Sequence, residues 1–330
     1  MQCASAVWLI MRAVIFNEDL QFVPDHTVPD VPADWARIRV HFAGICQTDL
    51  EIMKGYMGFV GILGHEFVGT VESCEDAAWV GKRVVGEINI ACGKCDLCDV
   101  GLGRHCPERS TLGILNLDGC MADYCILPIA NLREVPPEIS DERAVFTEPL
   151  SAACEILEQL KPERWKRAIV LGDGKLGILC AWVLSTVLSD VSLVGHHIEK
   201  LEVAGWRHLK TTRDVNKIEP GADIVVEATG SADGINQAME LCAPRGTIVL
   251  KSTVAADGKL NLSSLVINEQ TVIGSRCGQF KDGLRMLQSF PDMPIERLIT
   301  ARYPIEKSNA AFERSGRTDA LKVLIDMRAQ

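Results

Sequence analysis

Hydrophobic and polar residues change rhythm twice along this chain. Up to about residue 150, strand-length runs such as RIRVHFAGIC, GHEFVGTVES, GKRVVGEINI and ADYCILP are broken by glycine. Such runs predict short strands in an antiparallel, β-rich unit. After Pro149 the texture changes. RAIVLG reads as a buried strand, KLGILCAWVLSTVL as a helix, DVSLVG as a second strand and IEKLEVAGW as a second helix; ADIVVEATG, GINQAMELC, GTIVLKST and TVIGS continue the alternation. Strands alternating with helices predict a parallel, doubly wound sheet. Beyond Cys277 the pattern is irregular until DALKVLID, which predicts a last strand. The fold class is therefore α/β. A β-rich domain is expected over residues 1–150, completed by 278–330, with a nucleotide-type domain over 151–277 inserted into it. No internal repeat or low-complexity tract is visible.

A length of 330 residues suits two domains, and 47% hydrophobic with 24% charged residues suits a soluble protein with a full core. The net charge is -10 and no lysine- or arginine-rich run occurs. That weighs against nucleic acid and anionic membranes as partners. The most membrane-like stretch, residues 168–188, is interrupted by Asp173, Lys175 and three glycines, and fits a strand–turn–helix better than a span. MQCASAVWLI lacks the basic start of a secretory signal, so the first ten residues are read as an extension. The 13 cysteines then belong to a cytoplasmic chain whose thiols stay reduced, where clustered cysteines read as metal ligands.

VLGDGKLG supplies Gly172, Gly174 and Gly177 in G-x-G-x-x-G spacing, with Asp173, Lys175 and Leu176 between them. The first glycine permits a tight turn, the second lets the backbone approach a pyrophosphate, and the third packs helix against strand. The helix N-terminus then offers free N–H groups to the anion. The bland alternative is a glycine turn without a cofactor. At the end of the next strand, where an acid would hold a ribose 2′-hydroxyl, stand Gly195, His196 and His197, with Lys200 a turn later. Glycine, histidine and lysine accept a 2′-phosphate where a carboxylate repels it, which favours NADP(H) over NAD(H).

Cys92, Cys95, Cys98 and Cys106 follow C-x2-C-x2-C-x7-C spacing. Four thiolates make a closed site, so zinc there would be structural. An iron–sulfur cluster uses the same ligands, and a nucleic-acid-binding zinc module is a further alternative, although Asp96 and Asp99 leave the loop without a basic stripe. A quieter set lies elsewhere. Cys46 in GICQTDLEI and His65 in LGHEFVGTV are good zinc ligands, and TEPLSAA adds Glu148. Two such ligands and a carboxylate leave the open position that a catalytic zinc requires.

These motifs, in this order and from Met11 onward, resemble the medium-chain, zinc-dependent alcohol dehydrogenases, with their G-x-C-x-T-D and G-H-E motifs, four-cysteine lobe and glycine fingerprint. The resemblance implies a GroES-like catalytic domain, a Rossmann domain and an active cleft between them. Cys46 and His65 become zinc ligands. Glu148, where many relatives place cysteine, resembles the polyol, glucose and threonine dehydrogenase branch. In that branch Glu66 is an exchangeable fourth ligand; otherwise it is a buried acid paired with an arginine. Thr48 would receive the substrate's proton, and Asp49 would orient His65. Glu51 stands where relatives continue the relay, and reads more simply as a solvated helix residue. Thr229 and Gly230 would line the cofactor path, and Arg276 is a candidate phosphate contact. Tyr56, Phe59 and the neighbourhood of Ile114 would line the substrate pocket. The resemblance further implies two zincs per chain, one catalytic and one structural, a small alcohol or carbonyl substrate, and a dimer or tetramer. The competing expectation is a non-catalytic relative that binds nucleotide and serves a regulatory role.

Overall fold

The computed structural model describes residues 9–160, 165–253 and 260–329; the supposed N-terminal extension and Cys3 lie almost wholly outside them. Contacts divide the chain into two units, residues 1–148 with 299–330, and residues 149–298.

The first unit opens with β1 (Ile10–Asn17), β2 (Asp19–Thr27), β3 (Trp35–Ile45), helix α1 (Gln47–Ile52), β4 (Gly61–Ile62), β5 (Glu66–Cys74) and β6 (Arg83–Gly86). There follow β7 (Asn89–Ile90), α2 (Asp96–Asp99), β8 (Ser110–Thr111), β9 (Tyr124–Pro128), β10 (Leu132–Glu134), α3 (Asp141–Ala144) and the start of α4 (Thr147–Leu160). The second unit holds β11 (Arg167–Leu171), α5 (Lys175–Ser185), β12 (Asp190–Val194), α6 (Ile198–Ala204), β13 (Lys210–Thr212), β14 (Ala222–Glu227), α7 (Gly234–Leu241), β15 (Cys242–Leu250), α8 (Leu262–Ile267), β16 (Thr271–Gly274) and α9 (Phe280–Ser289). The chain then returns to the first unit with β17 (Ile299–Pro304), α10 (Ser308–Ser315) and β18 (Lys322–Asp326).

In the first unit the main sheet runs β10-β6-β5-β3-β18-β17, with β9 also pairing β3. Its ladders are antiparallel except β17 with β18. β3 alternates buried and half-exposed positions in its first half and is buried throughout from Phe42 to Ile45, because β5 and β18 flank it there. The second unit carries a six-stranded parallel sheet in the order β13-β12-β11-β14-β15-β16. β11, β12 and β14 are almost wholly buried, as expected of strands covered by helices on both faces. The order reverses beside β11, and that switch point is where such sheets bind their ligands. Residues 278–298, placed with the first unit by the sequence rhythm, pack with the second, where α9 buries Phe280, Leu284 and Leu287.

Candidate functional site

Three segments far apart in sequence meet at one end of the main sheet of the first unit. β3 and β5 are antiparallel with Gly44 opposite Glu66, and β18 pairs the other edge of β3 with Leu324 opposite Gly44. The end of β3 therefore lies beside the starts of β5 and β18. Cys46 follows β3 and caps α1; His65 immediately precedes β5, which Glu66 opens. Ligand atoms of Cys46, His65 and Glu66 all lie within 4.8 Å of one another.

The surroundings favour a cation. The carboxylate of Asp49, fully buried in α1, accepts the Cys46 backbone N–H at 2.7 Å and so fixes the turn that presents the thiol. Its other oxygen faces His65 Nδ1 at 3.4 Å, and these two buried atoms have no well-formed hydrogen bond. Burial opposes a charged ring, but Asp49 and the Cys46 sulfur outweigh it and hold His65 well above the usual histidine range. A metal ion on this trio would relieve the same excess of negative charge. Thr48 Oγ1 lies 3.8 Å from Cys46 Sγ, half-buried. Glu51 is tied to Gln47 at 2.8 Å and Lys54 at 3.0 Å on the exposed face of α1, a solvated helix residue.

Two residues depart from expectation. Glu148, at the second position of α4, does not join the trio within that distance. Glu66 does, opening β5 opposite Gly44 at the end of β3. Glu66 is also ion-paired with Lys322, both side chains being fully buried. The acid's partner is thus a lysine at the start of β18, where an arginine was expected. Sequence reasoning missed Lys322; its one signal was a charge heading the apolar run of the last strand. Gly44 makes the pair possible, since a Cβ there would lie 2.4 Å from Glu66 Oε2 and 3.2 Å from Lys322 Nζ.

The four-cysteine loop is compact. Sγ separations are 3.5 Å for Cys95–Cys98, 3.8 Å for Cys95–Cys106 and 4.0 Å for Cys92–Cys98. A tetrahedron with metal–sulfur bonds of about 2.3 Å has edges of about 3.8 Å. The residues therefore fit one closed four-thiolate ion. A Cys98 backbone N–H favours the Cys95 thiolate, yet burial and the sulfurs of Cys98, Cys106 and Cys92 push this thiol up to about 11; a bound cation would remove that conflict. Every cysteine among the described residues is free of disulfides.

An open depression of about 450 Å³ is lined by Met57, Phe59, Val60, Ile114, Leu117 and Asp118, among others. Phe59 and Ile114 are both among its lining residues. Tyr56 is 47% exposed.

In the second unit, β11 runs into Gly172 and α5 begins after Gly174. Gly172 has φ +112°, and a Cβ there would meet the Ala228 carbonyl oxygen at 2.3 Å. A Cβ on Gly177 would meet the Gly172 oxygen at 2.0 Å, so the helix packs against the turn only without one. A Cβ on Gly174 would meet nothing within 4 Å. That opening, beside the N-terminus of an 11-residue helix, fits a pyrophosphate. Lys175 and Leu176, half-buried, form the first turn of α5. Beyond β14, Thr229 gives its N–H and hydroxyl to the buried Glu227 carboxylate at 2.8 and 2.6 Å, and Gly230 N–H bonds Ser252 Oγ at 2.9 Å. Glu227 shapes this turn and was not singled out from sequence. His196 and Arg276 are exposed, and Lys200 is buried.

Known proteins resemble this chain. Residues 32–137 match the model of the alcohol dehydrogenase GroES-like domain, and residues 141–327 that of the glucose dehydrogenase C-terminus. Glucose 1-dehydrogenase 2 of Vulcanisaeta moutnovskia is 35% identical over 70% of this chain and 73% of its own. Sorbitol dehydrogenase of Halalkalibacterium halodurans is 26% identical over 88% and 90%. The solved structure of alcohol dehydrogenase TADH from Thermus sp. ATN1 superposes with a TM-score of 0.86 at 28% identity, covering 96% of this chain and all of that one, 100%.

Proposed function

The chain belongs to the zinc-dependent medium-chain alcohol dehydrogenase family, and from that premise we propose that it transfers hydride between a nicotinamide dinucleotide and an alcohol, polyol or amino alcohol with its carbonyl counterpart. The observation that carries this is the convergence of Cys46, His65 and Glu66 in a chain that also holds an open glycine turn between β11 and α5.

Cys46, His65 and a carboxylate would hold the catalytic zinc. Glu66 supplies a carboxylate in this geometry; the family resemblance suggests Glu148 as the third ligand, with Glu66 as the exchangeable fourth. Zinc, when bound, supplies Lewis acidity that lowers the pKa of an alcohol, and the dinucleotide supplies the redox chemistry. The rest falls to the chain itself. Asp49 orients the His65 ring and fixes the Cys46 turn. Thr48, whose hydroxyl both donates and accepts, takes the substrate's hydroxyl proton as first member of a relay. Lys322 pairs with Glu66 and anchors it. Phe59 and Ile114 contribute apolar surface to substrate binding.

Two zincs per chain follow from the two ligand sets, one open and one closed. The free thiols fit a reducing, cytoplasmic setting. Among the described residues no helix is long and apolar enough to cross a membrane. Association of copies is supported by β16, an edge strand, and by α8 beside it in sequence, with Leu262, Val266 and Ile267 exposed by 57%, 74% and 78%. Gly195, His196, His197 and Lys200 leave room for a 2′-phosphate and favour NADP(H), and the choice of dinucleotide turns on what else stands at the end of β12.

Assaying a panel of alcohols and carbonyls by nicotinamide absorbance tests the reading. Turnover should appear with at least one polyol or sugar and vanish in Cys46→Ala together with one zinc per chain. Retained turnover in that variant would sink the zinc mechanism.

A further inference from the structure

Gly195 follows β12, at the position where dinucleotide-binding sheets place the acid that bonds the ribose 2′-hydroxyl. On sequence alone that position has no side chain. In the folded chain it is filled from another segment. Asp173, between the first two glycines of the turn after β11, sends its side chain across to the end of β12. A Cβ built on Gly195 would lie 2.4 Å from both Cβ and Oδ2 of Asp173, and 2.6 Å from its Cγ.

The carboxylate is anchored there. Asp173 Oδ2 accepts the backbone N–H groups of His196 at 2.6 Å and His197 at 2.7 Å. The His197 ring, through Nδ1, lies 3.1 Å from Oδ2 and 3.2 Å from Oδ1. The Gly195 N–H is itself given to the Thr212 carbonyl at 3.0 Å. Three successive N–H groups that could have received a phosphate are therefore committed, two of them to an anion. Burial disfavours that charge, but the bonds from His197 and His196 outweigh it and hold Asp173 below the usual carboxylate range. Oδ1 keeps acceptor capacity for a hydroxyl.

We propose that Asp173 decides between the two nicotinamide dinucleotides, its carboxylate standing in for the acid absent at position 195 and selecting NAD(H) over NADP(H). The proposal rests on the dinucleotide-binding reading. His196 and Arg213, both exposed, pull the other way. Their charges stand in water and are screened by it. Asp173 is only 6% exposed, so its repulsion of a 2′-phosphate is screened far less.

Direct binding is the test, by titrating the full chain with NADH and with NADPH at one salt concentration. NADH should bind at least tenfold more tightly, and Asp173→Asn should cut that ratio at least tenfold. A double variant, Asp173→Gly with Gly195→Asp, moves the carboxylate to the end of β12 and should restore the preference, which keeps the test decisive if the single variant folds poorly. Tighter NADPH binding by the unaltered chain, or an equal loss for both dinucleotides in Asp173→Asn with the ratio unchanged, would overturn the proposal alone. Failure of both dinucleotides to bind would overturn the dinucleotide reading with it.

Discussion

Lys322 and Glu66 form an ion pair with no exposure of either side chain. A pair of this kind adds little net stability over apolar residues, but removing one partner strands the other charge, at a cost of about 3–5 kcal/mol. Lys322→Met should therefore lower the melting temperature sharply, and adding Glu66→Gln should recover part of the loss; a single variant as stable as the parent would show that the pair is not buried. Asp49 carries two duties, the Cys46 cap and the His65 orientation. Asp49→Ala should cost about 1 kcal/mol of stability through the cap and weaken metal binding about 10–100-fold. Zinc competition titration separates the two effects.

At the scale of elements, the turn from β11 into α5 depends on the absence of side chains. Gly177→Val places a side chain against the Gly172 carbonyl oxygen, which a Cβ alone would approach to 2.0 Å. The variant should lose dinucleotide binding, read by fluorescence titration, while zinc content stays unchanged. The start of α3 is a charge junction. Asp141 meets His41 at 2.8 Å, Arg328 at 2.9 Å and Arg83 at 3.2 Å. Burial raises its pKa, but these partners lower it further, so the net shift is downward. A lowered folded-state pKa contributes stability above the unfolded value of about 3.9 that is lost as pH falls through the folded one. Asp141→Asn should thus destabilise at pH 7, and the gap between the two melting curves should close below about pH 4.

For the whole molecule, the two ligand sets predict different metal behaviour. Dialysis against a chelator should remove one zinc first, with loss of turnover, and the second only under conditions that also lower the melting temperature. Simultaneous loss of both would contradict an open and a closed site. The first unit is closed by residues from the far end of the chain, since β18 lies between β3 and β17. A chain ending at residue 298 lacks that strand and Lys322, exposes an edge of β3, and should be insoluble.

The motifs were legible in sequence because their geometry is nearly local. The glycines from 172 to 177 and the cysteines from 92 to 106 are held together by short stretches of backbone, so spacing alone brings them into one turn and one ligand cluster. Cys46 and His65 stand out in the sequence as candidate ligands, and Glu51 reads there as a solvated helix residue. The tertiary structure decided the partners. Glu66 meets Cys46 and His65 because the β3–β5 register sets it opposite Gly44. Lys322 reaches Glu66 across most of the chain, and the missing side chain at 195 is replaced by Asp173. Local spacing sets what a segment can present; register and burial, which act between distant segments, set what it meets.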